Sequence, residues 1–263
     1  MNKVKLDFLG KIIAIIKRIT WKNNNVIYIN SNKKIFDKEN IDNKIPTRKY
    51  EWISCQTISK LGIKLYRIHL FKMKINLFNI MRNCTDDANI VYSGYVSPMF
   101  AAYDGYCLGD TRKYTFVDTL QKNSKPYVVN YTKNFSKHKI FIPDENLEIN
   151  IKVCCTNSIN DDKCLNNLSF DYTKEVDKVN NKILNEIYSF VRNVLDACTN
   201  SKVVKVNLYI AAKQPISFIC GTAIQSYHPL VVVYEYDCNK YLKSFEIQNS
   251  KIQECDNYGK RFH

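Results

Sequence analysis

Residues 207–236 read NLYIAAKQPISFICGTAIQSYHPLVVVYEY. This stretch opens with a short apolar strand, continues through a loop of small and polar residues, and reaches Pro215. A segment long enough for about three helical turns follows, and then a second apolar strand from Leu230 to Tyr236. Proline suits the first turn of a helix, where its missing N–H leaves no bond unmade. The stretch therefore predicts a strand–helix–strand unit, which is typical of an α/β layer with mainly parallel strands.

The same pattern occurs 117 residues earlier in the chain. Residues 89–120 read NIVYSGYVSPMFAAYDGYCLGDTRKYTFVDTL and align on residues 206–237 without a gap. The matched positions share chemical character: Tyr92 with Tyr209, Pro98 with Pro215, Phe116 with Val233, and Asp118 with Glu235. The second strand of the earlier unit is expected at Lys113–Val117. This internal repeat predicts two similar halves that superpose at an offset near 117 residues and are related by a pseudo-two-fold axis.

A helical pattern precedes each repeat unit. Between Thr173 and Cys198, apolar residues recur with the 3.6-residue period of an amphipathic helix. The same offset places a matching helix at residues 56–81, although residues 65–70 also alternate like a strand. The strand Leu147–Cys154 is expected to begin the sheet of the second half. Each half then reads helix, strand, helix, strand, which again favours an α/β fold.

These patterns divide the chain into five segments. Residues 1–49 form a basic N-terminal arm, in which the polar, Asn- and Lys-rich residues 22–48 are expected to be loop or extended chain. Residues 50–122 form the first half, and the mostly polar residues 123–145 link it to the second. Residues 146–245 form the second half, and residues 246–263 are a C-terminal tail.

The positive charge is concentrated in the first third of the chain. Residues 1–84 hold 18 Lys and Arg against 5 Asp and Glu, a net of +13, whereas the remainder holds 21 against 20. A basic segment of this kind suits contact with nucleic acid, with an acidic protein or with a membrane surface. A solvated, lysine-rich face without a partner is the competing interpretation. We expect the segment to bind a partner rather than a small ligand, so that deletion of residues 1–48 preserves ligand affinity.

Composition bears on metal binding and on cellular location. The 10 cysteines include no Cys-x-x-Cys pair, so we expect reduced thiols and no metal site. No run of about 18 apolar residues is present, which predicts that no helix spans a membrane. The N-terminal apolar run lacks a small-residue cleavage site, which argues against a signal peptide. We therefore expect a cytoplasmic protein.

Catalytic motifs are missing from the sequence. It contains no G-x-G-x-x-G or P-loop fingerprint and no G-x-S-x-G elbow. The histidines lie far apart, and the carboxylates form no cluster of the kind that a nuclease needs. We therefore expect no catalytic residues and no cofactor. A constellation scattered along the sequence is the alternative that these observations leave open.

Ligands of open α/β sheets bind beyond the carboxyl ends of the parallel strands. Small residues there let a ligand approach the backbone, and a helix N-terminus attracts an anion. Lys213 is placed to neutralise a phosphate, and Tyr95 and Tyr236 are placed to stack on bases. Tight turns and ordinary packing are the competing interpretation of each residue alone. The candidate ligand-binding residues are Ser93, Gly94, Tyr95, Ser97 and Thr119 in the first half, and Ala211, Ala212, Lys213, Gln214 and Tyr236 in the second.

The order strand–AxxP–helix–Gly–strand–VYEY, together with IVYSGYVSPMFAAYDGY…DTRKYTFVD, resembles the SAVED domain over roughly residues 50–245. The resemblance implies two tandem CARF-like, Rossmann-like halves. It also implies a sensor of cyclic di- or trinucleotides in CBASS antiphage defence, or of cyclic oligoadenylates in some CRISPR systems. Ligand binding in such proteins drives self-association and activates an effector. By position, the resemblance adds Thr156 to the candidate ligand-binding residues.

The usual effector module has no counterpart among the motifs of this chain. The resemblance therefore implies either a separate effector protein or a docking arm at residues 1–50, with the cyclic oligonucleotide as a signal rather than a cofactor. Two alternatives stay open: a ring nuclease that degrades the signal, and a basic nucleic-acid-binding protein acting through residues 1–84. The sequence does not specify the ring size or the bases of the ligand.

Overall fold

The protein is described by a computed structural model, which defines residues 26–30, 48–51, 89–93, 98–119, 126–143, 147–156, 159, 166–172, 178–237 and 240–254. Two sheets and three helices make up this part of the chain. The predicted helix at residues 56–81 lies outside the described residues. The mixed α/β class predicted from the sequence is confirmed.

The first sheet has five strands in the order β2-β1-β3-β4-β5. The first four strands are mutually parallel, and β5 pairs antiparallel with β4 at the edge. Helix α1 connects β3 to β4 and begins at Pro98, as the sequence predicts. The strands are β1 (Val26–Asn30), β2 (Arg48–Glu51), β3 (Asn89–Ser93), β4 (Lys113–Thr119) and β5 (Pro126–Tyr131), and α1 spans Pro98–Leu108.

The second sheet has six strands in the order β11-β10-β9-β8-β6-β7. Strands β9, β8, β6 and β7 are parallel, and β10 and β11 continue the sheet in antiparallel fashion. The elements are β6 (Glu148–Cys154), β7 (Asn167–Asp171), α2 (Asn181–Thr199), β8 (Lys205–Ala211), α3 (Gln214–Thr222), β9 (Leu230–Asp237), β10 (Lys240–Gln248) and β11 (Lys251–Glu254).

The two sheets share one topology. Each has four parallel strands followed by an antiparallel strand, and the repeat strands β3 and β8 occupy equivalent positions. Strand β4 also corresponds to β9. Helices α1 and α3 begin within a residue of the predicted offset, and α3 ends three residues earlier than that offset predicts. This agreement supports the predicted repeat, while the superposition of the two halves stays a prediction.

The three segments expected to be arm, linker and tail contain strands of the two sheets. These strands are short and lie inside stretches that are polar overall. The arm contains β1, which lies between β2 and β3 rather than outside the sheet. The linker contains β5, and the tail contains the end of β10 and all of β11. Deleting residues 1–48 would therefore remove an internal strand, so that truncation no longer tests the arm by itself.

Helix α2 begins later than the apolar period predicts. Its first residue is Asn181, and the extended residue Asn180 caps it, with the side-chain oxygen accepting a bond from the Ile183 amide at 3.0 Å. This cap satisfies one of the amides that a helix N-terminus leaves without a partner. The prediction of a helix from Thr173 is therefore wrong for Lys178–Asn180, and residues 173–177 lie outside the described residues.

Aromatic side chains join the two halves into one core. Phe218 of α3 lies against three rings of the first sheet, with centroid distances of 4.5 Å to Tyr92, 4.9 Å to Tyr114 and 5.4 Å to Phe116. In return, Tyr103 of α1 lies 5.1 Å from Phe245 of the second sheet. Because each helix reaches the opposite half, the cores of the two halves form one continuous cluster.

Helices α1 and α3 cross in backbone contact. A Cβ added at Gly105 would lie 2.0 Å from the carbonyl oxygen of Phe218, and one added at Gly221 would lie 1.9 Å from that of Ala102. Only glycine leaves room for such an approach. The crossing holds the N-terminal ends of the two helices, and the strands that lead into them, in a fixed relation.

Candidate ligand-binding site

The carboxyl ends of strands from both halves meet at one edge of the molecule. Asp118, near the end of β4, lies 4.0 Å from the Lys213 ammonium, measured from Oδ2 to Nζ. Lys213 follows the last residues of β8. It is the N-cap residue of α3 and has an extended backbone conformation. The side chains of Lys213 and Asp118 are 20% and 9% exposed, so the ion pair is partly shielded from solvent. The sequence-based placement of Lys213 at a strand end and a helix start is therefore correct.

A hydrogen-bonded chain extends from Asp118 to the second half. The Tyr127 hydroxyl of β5 donates to Asp118 Oδ2 at 2.7 Å, and the Val179 amide donates to the Tyr127 oxygen at 3.1 Å. Burial, together with the hydrogen bond to Asp118, raises the pKa of Tyr127 above its ordinary range. The phenol therefore stays protonated and acts as a fixed donor to the carboxylate.

Gln214, the first residue of α3, is 7% exposed. Neither its Nε2 nor its Oε1 has a hydrogen-bond partner among the described residues. An unsatisfied buried amide costs about 1–3 kcal/mol. The buried Gln214 amide is therefore unfavourable unless a ligand or a water molecule forms hydrogen bonds with it. Its position beside Lys213 favours a ligand.

The chain after β6 joins this edge. The amides of Cys155 and Thr156 both donate to the Ala211 carbonyl at 2.9 Å. Thr156 is exposed, Ala211 is half-buried and Ala212 is buried. The structure therefore brings Thr156, Ala211, Ala212, Lys213 and Gln214 together.

The candidate residues of the first half are only partly described. Ser93 is completely buried at the end of β3, so its side chain does not line an open surface. Gly94, Tyr95 and Ser97 lie outside the described residues. Thr119 ends β4 and Tyr236 lies in β9, but their side chains are not described. Their roles as ligand contacts stay predictions.

Sequence reasoning did not select Asp118 and Tyr127 for the site. The available signal was the repeat itself, because Asp118 aligns with Glu235 and both lie near the end of a second repeat strand. Tyr127 lay in the expected linker, where the antiparallel strand β5 was not recognised.

A second polar cluster lies at the C-terminal end of α2. Asp196 accepts hydrogen bonds from Tyr227 at 2.9 Å and from Arg192 Nε at 3.1 Å, and it lies 3.0 Å from His228 Nε2. His228 Nδ1 accepts from the Gln225 amide at 2.9 Å, so the proton of the neutral ring is on Nε2 and points to Asp196. With both ring nitrogens engaged, His228 anchors the loop before β9.

Within the described ranges, no group of three or more His, Cys, Asp or Glu side chains is arranged to hold a metal ion. Among the same residues, no helix is both long and apolar enough to cross a bilayer.

The fold defines a class: a Rossmann-like protein built from two tandem α/β halves. The family model described as "SMODS-associated and fused to various effectors sensor domain" (SAVED) matches residues 79–247. The chain belongs to the SAVED family.

Solved structures share the fold of this chain. The SAVED/CARF-domain receptor Cap4 of Acinetobacter baumannii, solved with the cyclic trinucleotide 3′3′3′-cAAA, matches with a TM-score of 0.55 at 15% identity. Cap4 of Moraxella osloensis matches with a TM-score of 0.53 at 14% identity. These matches cover 86% of this chain but 52% and 50% of the receptors, so the chain spans about half of their length. A search of curated protein sequences gave no significant match.

Proposed function

We propose that this protein is a sensor of a cyclic di- or trinucleotide in antiphage defence, and that it binds the signal without degrading it. The observation that carries the proposal is the SAVED match across both repeat units, joined with a fold shared with a receptor solved with 3′3′3′-cAAA. The ligand would lie at the edge where β4, β6 and β8 end. There Lys213 supplies positive charge and Gln214 supplies an amide that has no hydrogen-bond partner among the described residues.

The chemistry of that edge fits a cyclic nucleotide. Its phosphates need a cation and N–H donors, which Lys213 and the N-terminus of α3 offer. A base edge needs paired donor and acceptor groups, and the Gln214 amide carries one of each. Binding across the two halves would compete with Asp118 for Lys213. We further propose that this exchange promotes self-association and the activation of a separate effector protein.

Lys213 and Asp118 are expected to have opposite effects on affinity. Lys213→Ala should weaken binding of 3′3′3′-cAAA roughly tenfold to a hundredfold, because a charge-assisted bond to phosphate is lost. Asp118→Asn should strengthen binding about threefold to tenfold, because a like charge and a competitor for Lys213 are removed. Calorimetric titration at fixed salt measures both changes. We expect Gln214→Ala to have a smaller effect than Lys213→Ala, since a neutral amide makes a weaker bond.

Lys202→Ala is the matched control, because Lys202 is exposed in the turn that precedes β8, at the opposite end of the strand from Lys213. Its affinity should equal that of the wild type. If Lys213→Ala and Asp118→Asn shift affinity in the same direction, the ion pair supports the fold and does not compete with the ligand.

Chromatography of the nucleotide after incubation separates a sensor, which returns intact ligand, from a ring nuclease, which yields linear products.

A further inference from the structure

The connection between the two halves runs extended along α2. Side chains spaced four residues apart on the helix accept hydrogen bonds from alternate backbone amides of this connection. The bonds are Thr132 N to Asn181 at 3.0 Å, Asn134 N to Asn185 at 2.6 Å, Ser136 N to Ser189 at 3.1 Å and His138 N to Asn193 at 3.2 Å. The spacings match, because four helical residues rise about 6 Å and two extended residues span about 6.6 Å.

The same side chains also bond to carbonyl groups of the connection. Asn185 Nδ2 donates to the Thr132 carbonyl at 2.9 Å, and Asn193 Nδ2 donates to the Ser136 carbonyl at 2.8 Å. Asparagine side chains on one helix face thereby take the place of a neighbouring strand. The connection is held straight and in a single register.

The opposite side of the connection is an unpaired strand edge. Successive residues of an extended chain direct their N–H and C=O groups to opposite sides. Those of Lys133, Phe135, Lys137 and Lys139 therefore point away from α2. Within the described part of the chain, nothing pairs with these backbone groups, and every residue from 132 to 139 is exposed. We call this side of residues 132–139 the connecting edge.

The connecting edge is basic and partly aromatic. Residues 132–142 read TKNFSKHKIFI, with three lysines and no carboxylate. Lys133 pairs with Asp110 at 3.2 Å, whereas Lys137 and Lys139 form no ion pair with a described residue. The ring of Phe141, just beyond the edge, is 84% exposed. An extended partner with carboxylates and apolar residues would complement these features. Lysines on both copies would disfavour pairing of the edge with itself.

We propose that the connecting edge binds an extended, acidic segment of a separate protein, which adds to it as a β-strand. Main-chain hydrogen bonds to the four outward residues would supply the pairing. Lys137 and Lys139 would select carboxylates. This proposal is independent of nucleotide binding, because the edge involves none of the residues assigned to the ligand.

The probe is an acetylated peptide of alternating glutamate and valine, about eight residues long, so that it spans residues 132–139. Fluorescence anisotropy with the full chain measures its affinity. A peptide with lysine in place of glutamate should bind at least tenfold more weakly. A glutamate–valine peptide with every backbone amide N-methylated should not bind, because it cannot donate to the edge. Equal binding of all three peptides would overturn the proposal.

Lys137→Pro tests the edge from the side of the protein. The outward amide of Lys137 is lost while the inward bonds of Ser136 and His138 remain, and proline is tolerated at such an edge position. We expect at least a tenfold loss of peptide affinity, compared with about twofold for Lys137→Ala, which removes only an exposed charge. Unchanged affinity in a folded Lys137→Pro variant would contradict the proposal. If that variant does not fold, the N-methylated peptide decides the question.

Single-stranded oligodeoxythymidine is the competing probe, because lysines and exposed rings also suit a nucleic-acid strand. The proposal predicts that this oligonucleotide does not displace the peptide. If the oligonucleotide displaces the peptide and binds Lys137→Pro as it binds the wild type, the edge binds nucleic acid and strand addition is wrong.

Discussion

Replacing Gly221 by alanine is expected to destabilise the fold by roughly 3 kcal/mol or more. The new Cβ would lie 1.9 Å from the Ala102 carbonyl oxygen and 2.7 Å from its carbon. Both are backbone atoms, so relief requires α1 and α3 to move apart. That movement would disturb the core that the two helices share and the strand ends that hold Lys213 and Asp118. Urea denaturation measures the change in the free energy of unfolding.

Gly105→Ala should have a similar effect, since its Cβ would lie 2.0 Å from the Phe218 carbonyl oxygen. The double variant should lose less than the sum of the two, because helices already separated by one methyl group accommodate the second more easily. Gly109→Ala is the control: nothing lies within 4 Å of its Cβ, and its φ of 75° costs about 1 kcal/mol. Equal stability of all three single variants would contradict the close crossing.

Asp104 is expected to make stability depend on pH near neutrality. It is 2% exposed in α1 and accepts a hydrogen bond from Tyr92, while its Oδ1 has no partner among the described residues. Burial raises the pKa of Asp104 from 3.8 to about 7, and the bond from Tyr92 offsets only part of this rise. The folded state therefore favours the neutral acid. The stability that this preference contributes is fully present below about pH 4 and is lost as the pH rises to 7.

The size of the effect follows from the pKa difference. One pKa unit corresponds to about 1.4 kcal/mol, so the contribution of Asp104 to the free energy of unfolding should fall by about 4 kcal/mol across this interval. Asp104→Asn, which stays neutral, should remove this contribution. Relative to the wild type it should gain that amount between pH 4 and pH 7. Chemical denaturation across the interval gives the comparison.

The difference between the two proteins isolates Asp104. Burial lowers the pKa of His228, and the stability it contributes is lost as the pH falls below about 6.5, which is the opposite direction. This contribution is the same in the wild type and in Asp104→Asn, so it cancels. A stability difference that stays constant with pH would show that Asp104 does not titrate in this range.

The sequence predicted the repeat and the elements within it well, because strand, proline and helix follow one another in both copies with the same spacing. Pro98 begins α1, and Pro215 lies in the first turn of α3. The short strands outside the repeat were missed. Strands β1 and β5 have only 5 and 6 residues, and their polar flanks hide them from any analysis of periodicity. Strand β1 is identified by its pairing with β2 and β3, which lie farther along the chain, and β5 by its antiparallel pairing with the preceding strand β4.

The candidate site was predictable from the sequence only for the residues that lie within one repeat unit. Lys213 and Gln214 could be selected because they lie between a repeat strand and a helix start. The partner of Lys213 could not, because Asp118 is 95 residues away in sequence and is brought close by the packing of one half on the other. The glycine contacts that fix this packing also depend on a crossing that no local pattern specifies.

Titration of the full chain with 3′3′3′-cAAA tests the central claim most directly, with the linear triadenylate as the control ligand. The account predicts saturable binding of the cyclic form, at least tenfold tighter than the linear form. It also predicts recovery of intact ligand and a tenfold to hundredfold loss in Lys213→Ala. Cyclic dinucleotides tested in parallel define the ring size. Failure of the folded protein to bind any cyclic di- or trinucleotide would contradict the account, as would binding that Lys213→Ala leaves unchanged.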